Sequence, residues 1–166
     1  TLSWGTTVLG YPRPQFLILQ LIGVLFFAAT IPVSALHSDR FGRLEVLVAA
    51  TAGIIAFGLA FAPLFGSGHP VGVLLFLCLG LALMGLTYGP IGTALAELFA
   101  TPVRYTGASL TFNLAGILGA SVAPYLATWL AHEYGLAFVG YYLSGASLLT
   151  LIALLWIRAR GRAIAS

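Results

Sequence analysis

The chain has 166 residues, 60% hydrophobic and 7% charged, with seven arginines, no lysine and four acids, for a net charge of +3. A soluble domain carries about 25% charged residues, so the composition excludes an ordinary water-soluble globule and indicates an integral membrane protein. The surplus of positive charge is small and confined to loops, which excludes a nucleic-acid-binding surface, and the lone Cys78 excludes an internal disulfide and reads as a small buried hydrophobe.

Residues 1–9 are apolar around Trp4 but far short of the roughly 20 residues that a spanning helix needs. They read as the end of a helix whose beginning is absent. The chain has neither an initial methionine nor the pattern of a signal peptide, which agrees with a cut through a larger protein. Gly10-Tyr11-Pro12-Arg13-Pro14 then makes a turn, because two prolines cannot sustain a helix and Arg13 is solvated.

The first full span is expected over 16–36, apolar except for Gln20, Thr30 and Ser34, with a kink at Pro32. A hydrophilic island follows at Asp39-Arg40-Phe41-Gly42-Arg43, then a second span over 46–65 that forms an antiparallel hairpin with the first. Each island charge would cost about 2.5–3.5 kcal/mol inside hydrocarbon, so the island belongs in water or headgroups. A turn at 66–70 leads to a third span over 71–96. Its Gly85-Leu86-Thr87-Tyr88-Gly89 carries the spacing that lets helix backbones approach closely, and Gly89-Pro90 is expected to weaken its inner half. A polar loop over 97–105 precedes the fourth span at 106–130, kinked at Pro124, and the fifth at 136–157 precedes a tail at 158–166 with Arg158, Arg160 and Arg162.

The predicted fold is thus an all-α membrane protein of five full transmembrane helices plus the end of a sixth. Threading five spans alternately places all three arginine clusters on one face, which the positive-inside rule makes cytoplasmic. The amino end is then external and the carboxyl terminus cytoplasmic. Tyr11, Phe65, Tyr105, Trp129, Tyr134 and Trp156 fall near span ends, as interfacial aromatic belts do.

A solute route requires polar side chains at membrane depth, which Gln20, Thr87, Tyr88, Thr93, Thr111 and Asn113 offer, with Gln20, Thr87, Tyr88 and Asn113 as the leading candidates. Asn113 is the sharpest, since an amide within a span needs a helix partner, water or a ligand; Thr87 and Thr93 are expected to bond their own helix backbone. No Asp, Glu, Lys, Arg or clearly embedded His lies within a span. His37, His69 and His132 lie in separate loops, so no metal site is expected, and no catalytic constellation or cofactor motif is present.

Asp39-Arg40-Phe41-Gly42-Arg43 between two spans resembles the signature loop of the major facilitator superfamily, although Ala35 stands where that family often has glycine. The stretch from Glu97 through Thr101-Pro102-Val103-Arg104-Tyr105 to Leu110, with Gly89-Pro90 before it and Ala123-Pro124 after it, is similar to the carboxyl-terminal half of metabolite:proton symporters of that superfamily. The resemblance implies a half-transporter, helices seven to twelve of twelve, in a bacterial inner membrane. Its implied partners are the lipid bilayer, an amino-terminal helix bundle of the same protein, a small organic solute and protons. It also implies a conformational latch or gate made by Asp39, Arg40, Gly42, Arg43, Glu97 and Arg104, with Asp39 partnered outside this chain and Glu97 pairing with Arg104 or with the island. With no Asp, Glu, Lys, Arg or clearly embedded His within a span here, a proton-coupling residue is expected in the other half. The rival readings are a drug:proton antiporter of the same superfamily, a non-transporting membrane scaffold, or a subunit of a membrane enzyme.

Overall fold

The computed structural model describes residues 5–6, 9–66 and 69–165, with side chains as far as Ala159. Most of the expected helix end at 1–9, part of the turn at 66–70, and the side chains of Arg160 and Arg162 lie outside the described residues. Among the described residues all regular structure is helical: α1 Arg13–Phe41, α2 Arg43–Leu59, α3 Phe61–Phe65, α4 Pro70–Glu97, a 3-10 turn Thr101–Val103, α5 Arg104–Glu133 and α6 Leu136–Ala165. Four of these, α1, α4, α5 with its leading turn, and α6, are long and apolar enough to cross a membrane. The 28 residues of α4 rise about 42 Å, more than the roughly 30 Å of a bilayer's hydrocarbon core.

The stretch expected as one helix over 46–65 is divided at Ala60 into α2 and the five-residue α3. Pro63 supplies the reason. It has no N–H for the carbonyl of Leu59, and its ring crowds that carbonyl, so the regular ladder stops there. Pro90 has the same defect, yet α4 runs through it unbroken, contrary to the weakening expected at Gly89-Pro90. The carbonyl that Pro90 leaves without a donor is that of Leu86, and the buried hydroxyl of Ser34 on α1 donates to it at 2.5 Å. A neighbouring helix thus satisfies the backbone group that proline frees, as a membrane interior requires.

That hydrogen bond is possible because α1 and α4 lie nearly backbone to backbone. A Cβ on Gly89 would stand 2.9 Å from the Ile31 carbonyl oxygen, and one on Gly85 would stand 2.7 Å from that of Phe27. A second seam joins α2 to α6, where a Cβ on Gly58 would stand 2.8 Å from the Gly140 carbonyl oxygen and Ser144 Oγ donates to the Ile55 carbonyl at 3.0 Å. The expected α1–α2 hairpin is therefore a weak pairing in space. Helix α1 packs mainly on α4, and α2 mainly on α6 and α4. At the end of the bundle away from Gly42, Phe16, Phe61, Phe65 and Phe76 are buried with Val73 and Leu77. Phe65, expected in an interfacial belt, is 1% exposed, because the break at Ala60 turns α3 over α4, where its ring meets Phe76 at 4.7 Å.

Helix α5 differs from the others. Among the described elements it touches only its chain neighbours α4, the 3-10 turn and α6, lightly, and none of its 30 residues is buried.

Ser34→Ala should destabilise the protein by about 1–2 kcal/mol, the upper range for interhelical hydrogen bonds in membranes, because it orphans the Leu86 carbonyl. In a Pro90→Ala background the same substitution should cost much less, since an N–H returns to Leu86. Reversible unfolding in mixed detergent micelles measures both, and equal costs in the two backgrounds would refute the compensation.

Candidate functional site

Asp39, Arg40, Arg43, Glu45, Glu97 and Arg158 gather at the end of the bundle marked by Gly42, away from Arg13 and Glu133. Gly42 is the hinge of the turn between α1 and α2, with φ +94° and its N–H donating to the Ser38 carbonyl at 3.0 Å. An L side chain is strained at that φ, so the site depends on glycine. The turn delivers Arg43 to Glu97 at the end of α4, and these two form an ion pair. Two residues on, Glu45 in the first turn of α2 pairs with Arg158 of α6 at 2.6 Å. Together the pairs tie the α1–α2 turn to the ends of α4 and α6. They border a cleft of about 410 Å³ lined by Ser38, Asp39, Gly42, Arg43, Leu44, Glu45 and Glu97.

Asp39 lines this cleft, is exposed, and has no ion-pair partner among the described residues. Arg40, next in sequence, points to a different surface, a cleft with Val33, Leu36, His37 and Phe41, where the His37 and Phe41 rings stack at 5.9 Å. Of the two pairings expected for Glu97, the one with the island is present. Arg104 instead donates from Nε to the Phe99 carbonyl at 3.3 Å and lies beside Tyr105, Ala108 and Ser109. Sequence reasoning did not single out Glu45, and it read Arg158 as part of a tail, whereas α6 continues through that position to Ala165. A usable signal was present: the chain has only four acids, and each one near a membrane surface needs a cation or water.

The four candidates for a solute route do not converge. Thr87 donates to the Met84 carbonyl at 2.8 Å and Thr93 to that of Pro90 at 3.0 Å, both within their own helix as expected. Tyr88 is exposed on α4 with its ring edge-on to Phe27 at 5.5 Å. Asn113 Nδ2 donates to the Ser109 carbonyl at 2.8 Å, so its amide is half satisfied by its own helix and stands on the bare surface of α5. Gln20 is elsewhere, between α1, α2 and α4, in a pocket that none of the other three lines.

Both ion pairs are partly exposed, with side chains 31–57% accessible, and pairs of that kind contribute about 0–1 kcal/mol. A double-mutant cycle with Glu45→Gln and Arg158→Gln, read by detergent unfolding, should give a coupling in that range that shrinks as salt is raised. A coupling above about 3 kcal/mol, insensitive to salt, would contradict the solvated geometry.

The family described as "Sugar (and other) transporter" matches residues 6–158. The inner membrane metabolite transport protein YhjE of Escherichia coli K12 is 55% identical over 148 residues, covering 89% of this chain and 34% of that protein. A Haemophilus influenzae protein named for metabolite transport is 42% identical over 147 residues, with the same coverage. The citrate-proton symporter of Klebsiella pneumoniae is 30% identical over 162 residues, covering 95% of this chain and 36% of its own length. The chain thus spans about a third of the length of these relatives. No solved structure matches it. These names point to transporters and not to enzymes, and with the family match running from Thr6 to Arg158 the chain belongs to the sugar (and other) transporters of the major facilitator superfamily.

Proposed function

We propose that this chain is the carboxyl-terminal half of a metabolite:proton symporter-like carrier of a bacterial inner membrane, five spans and the end of a sixth, working by alternating access. The observation that carries the reading is α5. A 30-residue helix with no buried residue would leave Asn113, Thr111 and its glycines facing lipid, where polar groups are costly; a covering bundle from the rest of the protein removes that cost. The relatives' length supports such a bundle, since this chain spans only about a third of it.

In this reading the Gly42 end faces the cytoplasm and belongs to the gate. The pairs Arg43–Glu97 and Glu45–Arg158 position the helix ends of this half, while the carboxylate of Asp39, without an ion-pair partner among the described residues, engages a donor or cation of the other half in one state and releases it in the next. The solute site lies between the halves, near the midplane, with Thr87, Tyr88 and Asn113 on this side of it. The titrating group lies in the other half, because no predicted span here carries an Asp, Glu, Lys, Arg or clearly embedded His. Small organic acids and zwitterionic osmolytes are the solute classes to test, since relatives are named for citrate and for proline and betaine.

Uptake of labelled solutes by proteoliposomes of the full-length protein should rise at least severalfold when the outside is made acidic. Loss of that response would refute symport, and acceleration of efflux by inward protons would indicate antiport instead. Asp39→Asn should lower the uptake rate about tenfold or more with the thermal midpoint unchanged, as a latch requires and a mere topology charge does not.

A further inference from the structure

The pocket at Gln20 has features that the transport reading does not use. It holds about 190 Å³ between α1, α2 and α4 and is lined by Gln20, Phe57, Phe76, Leu77, Gly80 and Leu81. Its walls are apolar and aromatic, with the Phe57 and Phe76 rings stacked at 5.0 Å and 25°. Gln20 Oε1 is sealed from solvent and accepts no hydrogen bond from the described residues. An orphaned buried acceptor is costly, and at roughly 10 Å along the helix from Arg13 the surrounding lipid offers no donor.

We propose that this pocket binds a neutral, ring-sized molecule carrying one O–H donor, a phenol-like guest, with its hydroxyl donating to Gln20 Oε1 and its ring against Phe57 and Phe76. Size, charge and polarity each select that class. A cavity of about 150 Å³ holds a benzene ring, so this one holds a ring with a hydroxyl. Among the described lining residues none is charged, and an ion would lie there without a counter-charge. Water is the poorer occupant, because it needs two to four polar partners and Gln20 is the one polar side chain among the described lining residues. The pocket is separate from Thr87, Tyr88 and Asn113, so occupancy does not depend on the solute route.

The test uses the full-length protein in lipid nanodiscs with 4-fluorophenol as probe, followed by fluorine NMR and displaced by excess phenol to separate site binding from partition into lipid. Saturable, displaceable binding is expected, weakened about tenfold by Gln20→Leu and by the unbranched Gln20→Met. Fluorobenzene should bind the wild type more weakly than 4-fluorophenol and be unaffected by either change. Gly80→Val should abolish binding of both, since a Cβ there already meets Phe57 Cζ at 2.9 Å and drives the ring into the pocket. A purely non-displaceable signal, equal affinity in wild type and both Gln20 variants, or fluorobenzene binding as tightly as 4-fluorophenol would each overturn the proposal.

Discussion

The hydrogen bond from Ser34 to the Leu86 carbonyl is the constraint around which the bundle is arranged. In lipid there is no water to take a backbone group that proline leaves unpaired, and no hydrophobic force to press one apolar helix against another. What remains is close contact and polar satisfaction. The glycines of α4 let α1 come near enough for a short serine side chain to reach across, and the reach lets α4 cross Pro90 without breaking. At Pro63 no neighbouring side chain among the described residues donates to the Leu59 carbonyl, and there the helix divides.

The same principle orders the second seam. Gly58 and Gly140 bring α2 and α6 together, and Ser144 again spends its hydroxyl on a carbonyl of the other helix. With α4 also packed on α2, the helices α1, α2, α4 and α6 form one joined body, to which α5 adds little. The ion pairs at the Gly42 end add little to its stability, being partly in solvent. Their contribution is positional: they join α2 to α4 and α6 beside the cleft lined by Asp39, which has no ion-pair partner among the described residues.

The candidate residues were unevenly legible. Gly42 and Arg43 were readable from the loop itself, since a glycine between charges at a helix end announces a turn that only glycine makes easily. The G-x-x-x-G spacing announced a close approach, though not which helix would fill it. Asn113 was visible as an amide at depth, but its bond to Ser109 depends on a rotamer that composition does not reveal. Glu45 and Arg158 are separated by more than a hundred residues, and no local pattern links them; their meeting follows from the α2–α6 seam.

By itself the sequence determined that this chain crosses a membrane through long apolar helices, and where its turns fall, because the cost of burying a charge or an unpaired backbone group in hydrocarbon acts on every residue locally. Tertiary structure alone decided which helices touch. It placed α1 on α4 instead of on its hairpin neighbour, turned Phe65 from a belt residue into a core one, joined Glu97 to Arg43 instead of to Arg104, and left α5 bare. Helix partnership in a bilayer depends on the matching of small-residue surfaces distant in the chain, which no window along the sequence contains.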